Sequence, residues 1–228
     1  MPEPVNPSEQ PAAAPKRRYD STRRTEQAGE TRRRILGAAR ELFAARGYTG
    51  ATIEAVATEA NVAVETVYAA FGSKRALLSA LVGVLVAGDD QPVPLLERST
   101  PQAIRSEPDQ RRQIAMFADD ITQALARIAP IYGVIRAAAA TEPEIAKLLR
   151  QMQRTRFANL SRFVGWVAGN GALRESLDTA AAAETVWTIA SPDTYRLLTG
   201  DRGWSSERYA HWLGDSLLAL LLPPQPAR

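Results

Sequence analysis

The sequence predicts an all-α protein, a small three-helix unit at the N-terminus followed by a larger helical body. Three observations point there. Alanine and leucine dominate the apolar residues, and both favour helix. Apolar residues recur at helical spacing through most of the chain, and few stretches alternate apolar and polar residues with β-branched enrichment. Helix starts and stops bracket these segments, with Thr52 and Ser73 as caps and Gly47, Gly72 and Pro223-Pro224 as breakers.

In chain order, residues 1–15 are rich in Pro, Ala and Glu and lack apolar periodicity. A basic run, Lys16, Arg17, Arg18, Arg23 and Arg24, follows, so residues 1–24 read as a disordered arm that is basic from residue 16. The first helix is expected over Glu30–Arg46, with Ile35, Ala38, Ala39, Leu42 and Phe43 on one face, and Gly47 supplies a positive φ at its end. Thr52 caps a second helix whose buried stripe is Ile53, Val56, Ala57 and Ala60. Asn61 sits in a tight turn where a left-handed conformation is tolerated. A short third helix spans about Ala63–Phe71, Gly72 breaks it, and Ser73 caps a fourth that runs from Lys74 to about Val86.

Residues 88–108 read as a proline-bearing loop, with a short helix near Pro101–Arg105. An amphipathic helix over Asp109–Ala129 is expected to end at Pro130, with a separate apolar helix over Ile131–Ala140. Pro143 opens a long helix to about Ala168, and GNGALR stops it. Asp178 or Thr179 starts an alanine-rich helix ending near Ala190, and Ser191-Pro192 restarts helix. DRGWS turns the chain, and Ser205 or Ser206 caps the last helix, which runs to Leu222.

Charge is unevenly spread. Lys16–Arg75 holds twelve Lys/Arg and seven Asp/Glu, a net +5, whereas Ala76–Arg228 holds sixteen of each. Glu3 and Glu9 complete the chain's +3. A basic head on a neutral body is the footprint of a polyanion-binding unit. There is no cysteine, so no disulfide framework or thiolate site is possible, and the N-terminus has no signal-peptide core. The longest apolar runs, Leu81–Ala87 and Leu217–Leu222, are too short to span a bilayer. A cytoplasmic, soluble protein with no membrane partner is expected.

The segment TIEAVATEANVAVETVYAAFGSKRALL, Thr52–Leu78, carries the most information. A short helix delivered at a fixed angle by its predecessor can enter a DNA major groove. On the outer side of the third helix lie Val64, Glu65, Thr66, Tyr68 and Ala69. Thr66 can bond a base edge, Val64 can pack on a thymine methyl, and Glu65 can accept from a cytosine amino group. Tyr68, Lys74 and Thr52 have the chemistry for phosphates.

The same residues resemble the N-terminal domain of TetR-family transcriptional regulators, with specific motifs over about Thr31–Leu78. The resemblance implies that Tyr68 and Lys74 contact phosphates and that Val64, Glu65 and Thr66 face base edges. It implies a helix-turn-helix DNA-binding domain over residues 25–75 and a helical ligand-binding and dimerisation domain over 76–228. Two positions depart from the family pattern. Ala70 replaces a common large polar residue, and Ala63 replaces the usual Ser or Thr cap, weakening it by roughly 1 kcal/mol. The basic arm offers compensation by entering the minor groove or following phosphates.

For the body, the resemblance implies a homodimer acting on a double-stranded, pseudo-palindromic DNA operator, with a small-molecule effector and no cofactor. The aromatic and aliphatic residues Trp187, Tyr195, Leu198, Tyr209, Trp212, Leu213, Leu217 and Leu220 are the expected dimer interface. Met116, Phe117, Asp120, Tyr132, Arg136, Met152, Arg156 and Trp166 mix aromatic, polarisable and charged groups and are the expected ligand pocket. A DNA-binding scaffold without a ligand is the alternative. Nothing recommends an enzyme: His211 is the single histidine, and there is no metal-ligand cluster, P-loop or GxGxxG.

Overall fold

The computed structural model describes residues 17–224, which form ten α-helices and no strand. Helix α1 (Arg17–Gly50) is followed by α2 (Ile53–Glu59), α3 (Val64–Phe71) and α4 (Lys74–Ala87). A segment with one 3₁₀ turn at Leu95–Glu97 leads to α5 (Ser99–Ser106). The body is completed by α6 (Gln110–Ala139), α7 (Pro143–Asn170), α8 (Thr179–Ile189), α9 (Pro192–Arg196) and α10 (Ser206–Leu221).

Local chemistry explains most boundaries. Gly47 breaks the α1 ladder at φ 68°, ψ −178°, a conformation open essentially to glycine alone. Thr52 accepts from the Ala55 N–H at 3.1 Å and Ser73 from the Ala76 N–H at 3.1 Å, each satisfying an orphan donor of the following helix. Asn61 takes φ 51° in the turn between α2 and α3. Ala63 stands at the N-cap of α3 with no side-chain bond to offer. Asp178, Ser191 and Ser205 cap α8, α9 and α10 in the same way as Thr52.

Two expectations need correction. Helix α1 begins at Arg17, so the part of the arm from residue 17 onward is helical rather than disordered. No proline follows Pro15 until Pro92, and Arg, Glu, Gln and Ala supply helix propensity through the stretch. Lys16 lies outside the described residues. The second correction concerns Pro130, which does not end a helix: α6 runs through it for 30 residues, about 45 Å at 1.5 Å per residue. Pro130 faces solvent, where water can take up the carbonyl it leaves unpaired. Around it Ile128, Ile131, Tyr132 and Ile135 are buried and hold the helix on course.

The apolar interior falls into two clusters. The first joins the head to the body. Ile35, Ala39 and Phe43 of α1, Ile53 and Val56 of α2, and Val67 of α3 meet Leu77, Leu78 and Leu81 of α4, then Ile131 and Ile135 of α6 and Ile145 of α7. The second lies at the far end of the body, where Phe117, Phe163, Val164, Val186, Tyr209, Leu213 and Leu217 pack together. The Phe117 and Phe163 rings stack there at 3.8 Å. The buried Gln113 is paired: its amide donates to the Ile104 carbonyl at 2.8 Å and accepts from Asn170 at 3.1 Å. The Tyr209 hydroxyl donates to the Ile189 carbonyl at 3.1 Å, fastening α10 to the end of α8.

Backbone strain and capping give opposite expectations for two single changes. Gly47→Ala should destabilise the chain by about 1–3 kcal/mol, from its backbone conformation alone, since a Cβ there meets nothing within 4 Å. Ala63→Ser should stabilise it by about 1 kcal/mol by completing the α3 cap. Urea denaturation followed by circular dichroism measures both.

Candidate nucleic-acid interface and effector cleft

Helix α3 is held on its inner side and open on its outer side. Val67 is buried, Phe71 is half-buried, and both pack into the head core. The Arg32 guanidinium of α1 lies 4.4 Å from the Phe71 ring, and its Nη1 donates to the Ala70 carbonyl at 3.4 Å. Glu65, Tyr68 and Ala69 are exposed, Tyr68 with 48% of its surface open to solvent. Val64 and Thr66 are half-buried, and Val64 packs against the head core, as its shared phase with Phe71 dictates. So the outward face is narrower than expected from sequence.

Lys74 opens α4 and is half-buried. Its Nζ donates to the Thr49 carbonyl at 3.3 Å and lies 4.5 Å from the centre of the Tyr48 ring. Burial lowers its pKa, while Glu142 and Glu54 pull it back up. Burial also raises the Tyr48 phenol, helped by Glu142 in the α6–α7 turn. The Glu54 carboxyl is held below the usual carboxylate range by its own backbone N–H and by the Thr52 hydroxyl. Thr52 is thus committed to its cap and to Glu54. On α1, Arg23 and Arg24 are exposed. Arg17 and Arg18 lie in the helix.

A cleft of about 540 Å³ opens between α4, the segment over residues 88–98, α6 and α7. Its walls are mostly apolar, with Val82 and Val86 from α4, Leu125 and Ile128 from α6, and Leu148, Met152 and Leu160 from α7. The 88–98 segment is pinned by charge. Arg98 Nη1 pairs with Asp89 Oδ2 at 2.6 Å, and its Nη2 donates to the Gln91 carbonyl at 3.1 Å. The Arg98 guanidinium beside Asp89 lowers that carboxyl's pKa, with the Gln91 N–H adding to the effect. Arg127 holds the end of α4, donating from Nε to the Leu85 carbonyl at 2.8 Å.

Of the expected pocket residues, Tyr132, Met152 and Arg156 line the cleft. The other five do not. The α6 wall begins only at Ile121, directly after the Met116–Asp120 stretch. Phe117 is in the distal core, with Met116 and Trp166 packed against it. Asp120 is half-buried nearby, its carboxyl raised by burial. Arg136 is on the surface, paired with Asp193 at 2.8 Å. Sequence reading missed the α4 wall and the 88–98 segment altogether. Their signal was weak: α4 presents small residues there, and the loop has no periodicity.

The expected dimer set also divides. Tyr195, Tyr209, Leu213 and Leu217 are buried within the chain's own distal core and cannot meet a partner. Helical phase alone does not separate a core stripe from an interface stripe on an apolar helix. Trp187, Leu198 and Trp212 are half-buried, and Leu220 keeps 41% of its surface. Trp187 Nε1 is shielded from solvent without a hydrogen-bond partner.

A basic helix-turn-helix head with an exposed second helix thus shares one core with a cleft-bearing helical body. Residues 35–81 match the profile of the tetR family of bacterial regulatory proteins, so the chain carries the TetR-type helix-turn-helix within the fold of TetR-family transcriptional regulators. Among solved structures, a TetR-family regulator from Mesorhizobium loti is 19% identical, with a TM-score of 0.62 over 86% of this chain and 98% of that one. FadR from Bacillus subtilis, in complex with stearoyl-CoA, is 17% identical, with a TM-score of 0.60 over 82% and 97%. A regulator from Saccharomonospora viridis, in complex with choline, is 18% identical, with a TM-score of 0.62 over 86% and 99%. At these identities the likeness speaks for the fold. No curated protein matches the chain in sequence. No single helix among the described residues is long and apolar enough to cross a membrane.

The Asp89–Arg98 pairing makes the cleft's outer wall separable from its floor. Arg98→Ala should speed amide hydrogen exchange over residues 89–98 by about tenfold or more while leaving α6 and α7 protected. In the unaltered chain the same loosening should begin only in acid. A lowered aspartate pKa stabilises above the ordinary value of about 3.9, and that contribution is lost as pH falls through the depressed value. Exchange measured by mass spectrometry at neutral and acid pH tests both statements.

Proposed function

We propose that this protein is a homodimeric, ligand-responsive transcriptional repressor that reads a pseudo-palindromic DNA operator. The observation that carries the reading is the α3 surface, with Glu65, Thr66, Tyr68 and Ala69 facing outward or half-outward on a head of net positive charge. Thr66 and Glu65 read base edges and Val64 contacts a thymine methyl from the margin of the core. Tyr68 and Lys74 set the register on phosphates, and the exposed Arg23 and Arg24 extend the basic surface along α1.

Two recognition helices must sit about 34–36 Å apart to meet successive major grooves. The exposed and half-buried remainder of the expected interface, Trp187, Leu198, Trp212 and Leu220, supplies apolar area for a two-fold contact. The cleft abuts α4, which also builds the head core, so an effector that favours one arrangement of α4 shifts the separation of the heads. The relatives bound to stearoyl-CoA and to choline support a small-molecule effector for this fold while leaving its chemistry open.

The first experiment is selection of duplexes from a randomised pool by the purified chain. An enriched inverted repeat is expected; recovery of unrelated sequences, with binding that vanishes at moderate salt, would overturn the operator reading. On the selected site, Lys74→Ala should weaken binding to all sequences alike and reduce the salt slope by about one. Thr66→Ala should cost about 1–3 kcal/mol at one base pair of each half-site and relax specificity there. A uniform loss across sequences would assign Thr66 to phosphate instead. Sedimentation of the free protein tests the homodimer separately.

A further inference from the structure

Arg156 stands on the α7 wall of the cleft as a half-buried cation with no acid of its own. Its Nη2 donates to the Trp187 carbonyl and, at 3.0 Å, to the Ala190 carbonyl at the C-terminal end of α8. Its guanidinium lies 5.1 Å from the Trp187 ring. A helix C-terminus presents roughly half a negative charge, so these carbonyls offset only part of a full cation. Nε is shielded from solvent and has no hydrogen-bond partner.

The groups packed around Arg156 do not complete the neutralisation. Asp193 is the one carboxylate whose field reaches it, and that carboxylate is already held by Arg136 at 2.8 Å. The remaining influences are the phenols of Tyr132 and Tyr209, and a phenol is uncharged near neutral pH. Desolvation accordingly lowers the guanidinium's pKa to about 10. The acids that line the cleft, Asp89 and Asp90, belong to the 88–98 segment, and Asp89 is taken by Arg98. The remaining walls are mostly apolar, including Leu125, Ile128, Leu148 and Leu160, with uncharged polar residues such as Gln151 and Asn159 among them.

We propose that the effector is an amphipathic anion whose apolar body fills the space between α4, α6 and α7 and whose single carboxylate or phosphate pairs with Arg156. The proposal rests on the reading of this cleft as the effector site. A partly desolvated guanidinium gains most from an anion it can bond through two donors. An apolar wall cannot rank headgroups, and the other two guanidiniums at the cleft are engaged elsewhere, Arg98 by Asp89 and Arg32 by the Ala70 carbonyl and the Phe71 ring, so the preference for charge falls to Arg156.

Four probes with the same ten-carbon chain separate the possibilities: decanoate, decyl phosphate, decanol and decyltrimethylammonium. Each is titrated into the full chain below its aggregation concentration, with heat as the readout. Decanoate or decyl phosphate should bind about tenfold or more tightly than decanol, the scale of one charge-assisted contact, and the cation should bind weakest. Which of the two anions binds better tells carboxylate from phosphate. Arg156→Gln should erase the headgroup ranking while retaining decanol binding. Equal binding of all four, tightest binding of the cation, or a ranking that survives in folded Arg156→Gln overturns the proposal while leaving the cleft as a ligand site. Binding of none of the four overturns the effector reading of the cleft as well. The ranking is read on the unaltered chain, so it stands even where Arg156→Gln does not fold.

Discussion

Leu77, Leu78 and Leu81 hold this molecule together as one mechanical object. They lie on α4, are almost wholly buried, and α4 packs on α1 and α3 to one side and on α6 and α7 to the other. Close-packed interiors transmit displacement because they have few voids to absorb it. With one core serving both head and body, α4 cannot shift without carrying the head or disturbing the floor of the cleft. That constraint is what would give a ligand in the cleft purchase on the surface proposed to read DNA.

The α6–α7 turn supplies a second, electrostatic connection between the two halves. Glu142 acts on both Lys74 and Tyr48, and Lys74 is simultaneously drawn to the Thr49 carbonyl. The cation proposed to meet phosphate is therefore poised between intramolecular partners of modest strength. Surface charges of this kind are worth little individually and are screened by salt. They tune the position of an ammonium rather than lock it, which suits a contact that must exchange partners when DNA arrives.

Much of the head was legible in the sequence because its signals are local. Gly47, Thr52, Asn61, Gly72 and Ser73 are each dictated by a backbone geometry a single residue can reveal, and each behaves as read. The body was less legible because its questions are tertiary. Pro130 signals a stop in isolation, yet an exposed proline is tolerated when the residues around it are clamped in a core. Tyr209 and Leu213 look the same in sequence whether they meet their own chain or another, and only packing assigns them inward. Of the eight residues expected around a pocket only Tyr132, Met152 and Arg156 border the cleft, and its α4 wall carries no pattern distinct from an ordinary helix face.

Arg32 has a consequence for how such a head can change. By bonding the Ala70 carbonyl and covering Phe71, it ties the trailing end of α3 to α1, while Val67 fastens the middle. The reading surface and the basic surface of α1 are then a single rigid die, carried whole by any motion of the body. In the proposed dimer its imprint on each half-site would stay constant, and only the distance between the two imprints would be left free to vary. Under that proposal control would be a matter of spacing, with the fidelity of reading left untouched.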